Sequence, residues 1–326
     1  MHSFKHTALV ALGVLAAQFV HAQRPENTSV CDYYTTALLK NNTAENQLTL
    51  LTLVVNTAVI GNYTQPNVGV VVPGILASGQ MQDGVSVDLL GYFNGSMMVT
   101  NRNGMAGSVN FLDDGGAAPL KMNKPANGNS SAQYFLLTHL YQYFGVLLGC
   151  TMQMPGGAFS SYQGDASQYQ VHKFMNLSKP EIDYFITQVG LSAASFGVAT
   201  TDVMAVGKAL NDTFNQRCSP PAAVIPAQGA QLQAICVNPA CPTASNAVCA
   251  LYEAAATMTG SMASGSASAM PSGASGSAGA SGNAAGGSST GHPVSSSAAG
   301  VVFVPTAVWG ILAAAAASIF GFALIL

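Results

Sequence analysis

Charge is what this sequence has least of. Lys and Arg number 10 and Asp and Glu 13 in 326 residues, so charged side chains are 7% of the chain and the net charge is only -3. That count excludes a nucleic-acid partner, because neutralising a phosphate backbone takes a clustered patch of cations and no stretch supplies one. Histidine is almost as sparse. His2, His6 and His21 lie in the first 22 residues and His292 in the tail, which leaves His139 and His172 for the interior of the chain. Between Cys31 and Cys218 there is no G-x-S-x-G elbow and no H-E-x-x-H pair, which removes the sequence signals for an elbow-borne serine nucleophile and a zinc-peptidase helix. Cys236 and Cys241 have four residues between them and no second pair repeats that spacing, so cysteine ligation of zinc is disfavoured.

The two ends carry the compartment signals. "MHSFKH" is a short basic start, "TALVALGVLAAQFV" is an apolar run too short to span a bilayer, and "VHA" places a small residue ahead of Gln23. Residues 1–22 therefore read as a secretory signal peptide. Val301 to Leu326 is uncharged and lacks the basic cytoplasmic flank of a permanent membrane helix. With the polar spacer "GGSSTGHPVSSSAAG" before it, this segment (301–326) reads as a glycolipid-anchor signal, with attachment at Asn283 in "NAA" or at Ser288 in "GSS". A single-pass helix is the alternative.

The remainder divides by composition. Residues 23–218 have the length and apolar content of one globular domain. Residues 219–253 are punctuated by proline and hold the last three cysteines, as expected for a disulfide-stapled extension. Residues 254–300 are almost entirely Ser, Gly and Ala after the first few positions, the composition of a disordered stalk. Sequons at Asn27, Asn41, Asn62, Asn94, Asn129, Asn176 and Asn211 offer glycans as the solubilising groups that charge does not provide. Cys31, Cys150, Cys218, Cys236, Cys241 and Cys249 form an even set in an oxidising compartment, which predicts three disulfides with the pairing left open among fifteen. Glycolipid anchoring implies a eukaryote, and the serine-rich stalk fits a fungal wall, with wall polysaccharide as a partner.

Apolar periodicity predicts a mainly α fold. In "ENQLTLLTLVVNTAVI", Leu51, Val54, Val55, Ala58 and Val59 share one face. "YFLLTHLYQYFGVLLG" repeats the pattern with Leu136, Leu140, Tyr143, Phe144 and Leu147. "LSKPEIDYFITQVGLSAASFG" starts with Ser178 and Glu181 as a capping box, directs Ile182, Phe185, Ile186, Val189 and Phe196 to a core, and stops at Gly197. In "TTDVMAVGKALNDTF", Val203, Val206, Leu210 and Phe214 are in register. Residues 64–132 read as long loops with short strands such as "NVGVVV".

The order helix, long loop, helix, short histidine-bearing helix, helix, helix resembles an elaborated truncated haemoglobin. "HLYQYFGVLLGC" is similar to that family's distal helix, with Cys150 in place of the second closing glycine, and "YQG" is similar to its Tyr-x-Gly. The resemblance implies a globin-like domain with long insertions, haem as cofactor, and His172 as the axial iron ligand. It places Phe93 of "DLLGYFNG" against the porphyrin, Leu136 and Leu140 on an apolar distal side, and His139 at a propionate or on the iron. Val55 and Asn56 stand nearest the family's distal Phe-Tyr pair, so bound dioxygen would lack a tyrosine hydroxyl. The function it implies is binding of dioxygen, nitric oxide or peroxide at the iron, the chemistry being the cofactor's.

Read from residues alone, His172 serves equally as a hydrogen-bonded residue on an amphipathic helix, and the whole domain as a cofactor-free surface module. Asp113 and Asp114 in "LDDGGAAP" read as a turn or as carboxylate ligands for a cation, and Met152 and Met154 as packing or as thioether ligands.

Overall fold

The computed structural model describes residues 24–64 and 67–252. The expected signal peptide, the stalk from residue 254, the anchor segment and the attachment positions Asn283 and Ser288 lie outside the described residues. The described chain falls within one compact unit and is mainly helical, as the periodicity predicts.

Among the described residues eight α-helices follow in order: α1 Val30–Leu39, α2 Ala44–Ile60, α3 Leu90–Phe93, α4 Ala117–Leu120, α5 Ala132–Leu147, α6 Gln168–His172, α7 Lys179–Ser195 and α8 Thr200–Phe214. Hydroxyls set where several begin. Ser29, Thr43, Ser131 and Ser167 each accept a backbone N–H from the first turn of α1, α2, α5 and α6, satisfying donors that the helix itself leaves open. At α7 the Glu181 carboxylate reaches back to the Ser178 N–H at 2.7 Å and takes the Ser178 hydroxyl at 2.6 Å.

Helix α2 is the hub, packed against α1, α4, α5 and α7, while α7 also packs against α8. Leu51, Val55, Ala58 and Val59 of α2 are buried as predicted, together with Tyr143 and Phe144 of α5, Ile182 and Val189 of α7, and Leu210 and Phe214 of α8. Burying side chains of this size contributes about 1.5–3 kcal/mol each.

Residues 64–132 are mostly loop, yet the expected strand "NVGVVV" is absent. Val68 and Gly69 adopt φ of 35° and 81°, turning the chain there. Strands form further on, in two hairpins: β1 Gln80–Gln82 with β2 Val85–Val87, and β3 Thr100–Arg102 with β4 Met105–Gly107. Each closes through a two-residue loop, Asp83–Gly84 and Asn103–Gly104, with all four residues at positive φ. That is the geometry such dipeptides favour because its twist matches the strands.

The loop at 72–76 caps α2. Ile75 and Leu76 donate to the carbonyls of Ala58 and Val59 at 2.8 and 3.0 Å, while Gly74 is held from α7 by the Gln188 side chain and the Tyr184 hydroxyl. The approach is possible because Gly61 and Gly74 face each other: a Cβ on Gly74 would lie 2.3 Å from the Gly61 nitrogen.

All six cysteines are paired, as Cys31–Cys150, Cys218–Cys249 and Cys236–Cys241. The first joins α1 to the segment after α5 across 119 positions of sequence. The extension after Cys218 lies on the helical part: Ile235 and Cys236 donate to the Phe214 carbonyl at the end of α8, and the Leu232 carbonyl accepts from Ser167 and Tyr169.

Gln133, fully buried in the first turn of α5, organises the loop before it. Its side-chain oxygen accepts from the N–H groups of Asp114 and Gly116, and its nitrogen donates to the carbonyls of Gly116 and Pro125. Gln133→Met keeps the shape and removes all four bonds. We expect it to lower stability by about 3 kcal/mol, since stranded buried donors and acceptors cost ~1–3 kcal/mol apiece when water cannot reach them; urea unfolding of the two proteins measures the difference.

Candidate functional site

Among α1, α2, α5, α7 and α8 lies a cavity of about 60 Å³. Its wall includes Leu51, Val55 and Ala58 of α2, Leu140 and Phe144 of α5, and Val189 of α7, and the surface it presents is entirely apolar. Nothing in its wall offers a water the hydrogen bonds it would need.

His172 is the last residue of α6 and is half-buried. Its Nδ1 stands 2.8 Å from the Gln168 carbonyl one turn earlier, so Nδ1 carries the proton and donates, and Nε2 keeps its lone pair. Burial lowers its pKa below the ordinary 6.5, with the Gln168 bond opposing in part. His139, half-buried on α5, sits between two rings, 6.4 Å from Phe135 and 5.8 Å from Tyr162, and burial lowers its pKa too. Phe93 ends α3 and is half-buried against the core. Leu136 and Leu140 also pack on the core, and of these five residues only Leu140 belongs to the cavity wall.

Asn56, adjacent to Val55 on α2, is fully buried and belongs to a polar pair. It accepts from the Tyr141 hydroxyl at 2.6 Å and donates to the Leu120 carbonyl at 3.1 Å. Burial holds the Tyr141 phenol well above its ordinary range, hence neutral and donating.

His172 offers one of the two things that haem needs, a donor atom and a space. A neutral imidazole with Nδ1–H fixed by a carbonyl and Nε2 free is the donor that haem iron takes. The space does not accompany it: the apolar cavity is lined by neither histidine, and about 60 Å³ is small beside the ~300–1,000 Å³ of ordinary ligand pockets.

The other candidates resolve as structure. Asp113 caps α5, its two oxygens accepting from the N–H groups of Ala132 and Gln133, and Asp114 accepts from Gly128. Met152 and Met154 are exposed. Among the described residues no group of three or more His, Cys, Asp or Glu side chains is placed to hold a metal ion. Asn27, Asn41, Asn62, Asn94, Asn129 and Asn176 are exposed, whereas Asn211 on α8 is half-buried. Asn62 and Asn94 use their side-chain oxygens to hold Val72 and Ser96, which leaves the amide nitrogen for a glycan.

One polar cluster has no counterpart in the sequence reading. Asp202, buried in the first turn of α8, pairs with Arg24 through 2.8 and 3.0 Å bonds and accepts the Tyr34 hydroxyl at 2.8 Å. Tyr34 accepts in turn from the Ala199 N–H at 2.9 Å, and its pKa is pushed up to about 12, mainly by burial. The cluster ties residue 24 and α1 to α8. An acid at N3 of a helix, three residues after Ala199, is its only sequence signal.

Compared with protein-family models, curated proteins and solved structures, the chain matches none.

Asp202→Ala leaves the Tyr34 hydroxyl without its acceptor and Arg24 without its counter-ion. A loss of about 2–3 kcal/mol is expected for a largely buried pair, read from the urea midpoint. The histidines supply a pH prediction. Their folded pKa values lie below the unfolded value of 6.5, so the unfolded chain binds the proton more readily. Their contribution is complete above pH 6.5 and is lost as pH falls from there toward the folded values. Stability measured from pH 7.5 down to pH 5 should therefore drop less steeply in the His172→Gln variant than in the wild type.

Proposed function

We propose that this chain is an extracellular, N-glycosylated helical module, braced by disulfides and carried on a surface-attached stalk, acting in wall architecture or partner binding without a cofactor. The carrying observation is the pairing of all six cysteines together with the exposure of six sequon asparagines. Three disulfides are compatible with an extracellular protein. Glycans at the exposed asparagines would supply the hydration that a chain with 7% charged residues lacks. Attachment by glycolipid and contact with wall polysaccharide belong to the same proposal.

Expression of the full chain in a eukaryotic host tests it. Enzymatic removal of N-glycans should lower the mass in steps traceable to the exposed sites, and a phosphatidylinositol-specific phospholipase should release the protein from the cell surface. An unglycosylated protein retained inside the cell would overturn the reading.

A second reading, haem held by His172, is favoured by one observation, the lone pair left on Nε2. It requires the packing around α6 to open. Absorption spectra with haem supplied decide it: a sharp Soret band abolished by His172→Ala would establish ligation, and a folded colourless protein would end this reading.

A further inference from the structure

The geometry points to a binding site in the apolar cavity: we infer that it takes one small apolar molecule without a polar head group, an apolar gas or a very short hydrocarbon. The inference depends on neither haem nor the glycolipid anchor.

The wall of the cavity presents only apolar surface. Tyr34 is the one lining residue with a polar side-chain terminus, and its hydroxyl is fully used, donating to Asp202 and accepting from Ala199. No group remains to receive a carboxylate, a hydroxyl or a bound water. A dry cavity of roughly 150 Å³ holds benzene or xenon, so one of about 60 Å³ is too small for benzene and leaves room for a single atom the size of xenon. An acyl chain is excluded by the same volume.

The void is framed so that it stays open. Cys31, itself in the wall, is bonded to Cys150. Asp202 ties Tyr34 of α1 to α8, and Ser192 of α7 donates to the Val54 carbonyl of α2 at 2.6 Å. Helices pinned in this way cannot slide together to fill the gap, which is the condition under which a cavity persists. The side chains leave the room: beside larger wall residues such as Leu51, Leu140 and Phe144, the short Val54, Val55, Ala58, Val189 and Val206 line it.

Xenon is the probe. The full secreted protein would be titrated with xenon at graded pressure and followed by carbon-13 methyl NMR. Saturable shifts confined to the methyls of Val55, Ala58, Val189 and Val206 are expected, with the xenon response weakened at least tenfold in Ala58→Leu, which fills the void. Because an added leucine on the central helix can overpack it, Val206→Leu serves as the milder second variant and should give the same loss. Shifts that rise linearly with pressure, or that persist unchanged in a folded Val206→Leu protein, would overturn the proposal. So would the same methyls responding to a long-chain fatty acid and not to xenon.

Discussion

Buried amide side chains do in this protein what charged pairs do in others. Four glutamines with almost no exposed surface, Gln47, Gln133, Gln188 and Gln233, each join a helix to a loop or a distant strand of chain. Gln47 on α2 takes the Met152 N–H and donates to Asp32, and Gln188 on α7 takes the Gly74 N–H. Gln233, in the extension, donates to the Ala166 and Ala222 carbonyls and takes the Tyr143 hydroxyl. An amide both donates and accepts, so it can satisfy opposite needs of loop backbone without the desolvation penalty of an ion. These four residues give partners to loop backbone that would otherwise be buried unsatisfied, in a chain with little charge.

The helices and the covalent bridges divide the remaining labour. Apolar faces of α2, α5, α7 and α8 make the interior, and α2 meets most of them. The Cys31–Cys150 bridge and the Asp32 carboxylate, which accepts from both Gln47 and Thr151, fix α1 and the end of α5 to that hub at one point. With α1 held there and again at Asp202, the helices surround the apolar cavity.

The periodic helices were the legible part of the sequence, because burial repeats along α2, α5, α7 and α8 with the period of the helix. The hairpins were written just as plainly, in Asp83–Gly84 and Asn103–Gly104, but the surrounding glycine and asparagine content made the region read as loop. Asn56 was hidden by its apolar neighbours, since its partners Tyr141 and Leu120 lie 85 and 64 residues away. The Arg24–Asp202 pair spans 178 residues and leaves no periodic trace. Legibility of the candidate site was poorer still. His172 could be singled out by scarcity, and its carbonyl partner follows from helix geometry, but a cavity consists of atoms that are missing, and a sequence does not mark their absence.

The Cys218–Cys249 bridge determines where mechanical load would enter the domain. Cys249 lies three residues before Tyr252, where the described chain ends, and Cys218 follows the C-terminal turn of α8. Tension applied through the chain beyond Tyr252 would cross from Cys249 to Cys218 through the sulfur atoms and pull on α8 directly. The intervening loop, with Gln233 and its bonds to Ala166 and Tyr143, would stay slack. Under pull the extension is thus a bystander, and the load falls on the helix that Asp202 ties to Arg24 and to α1.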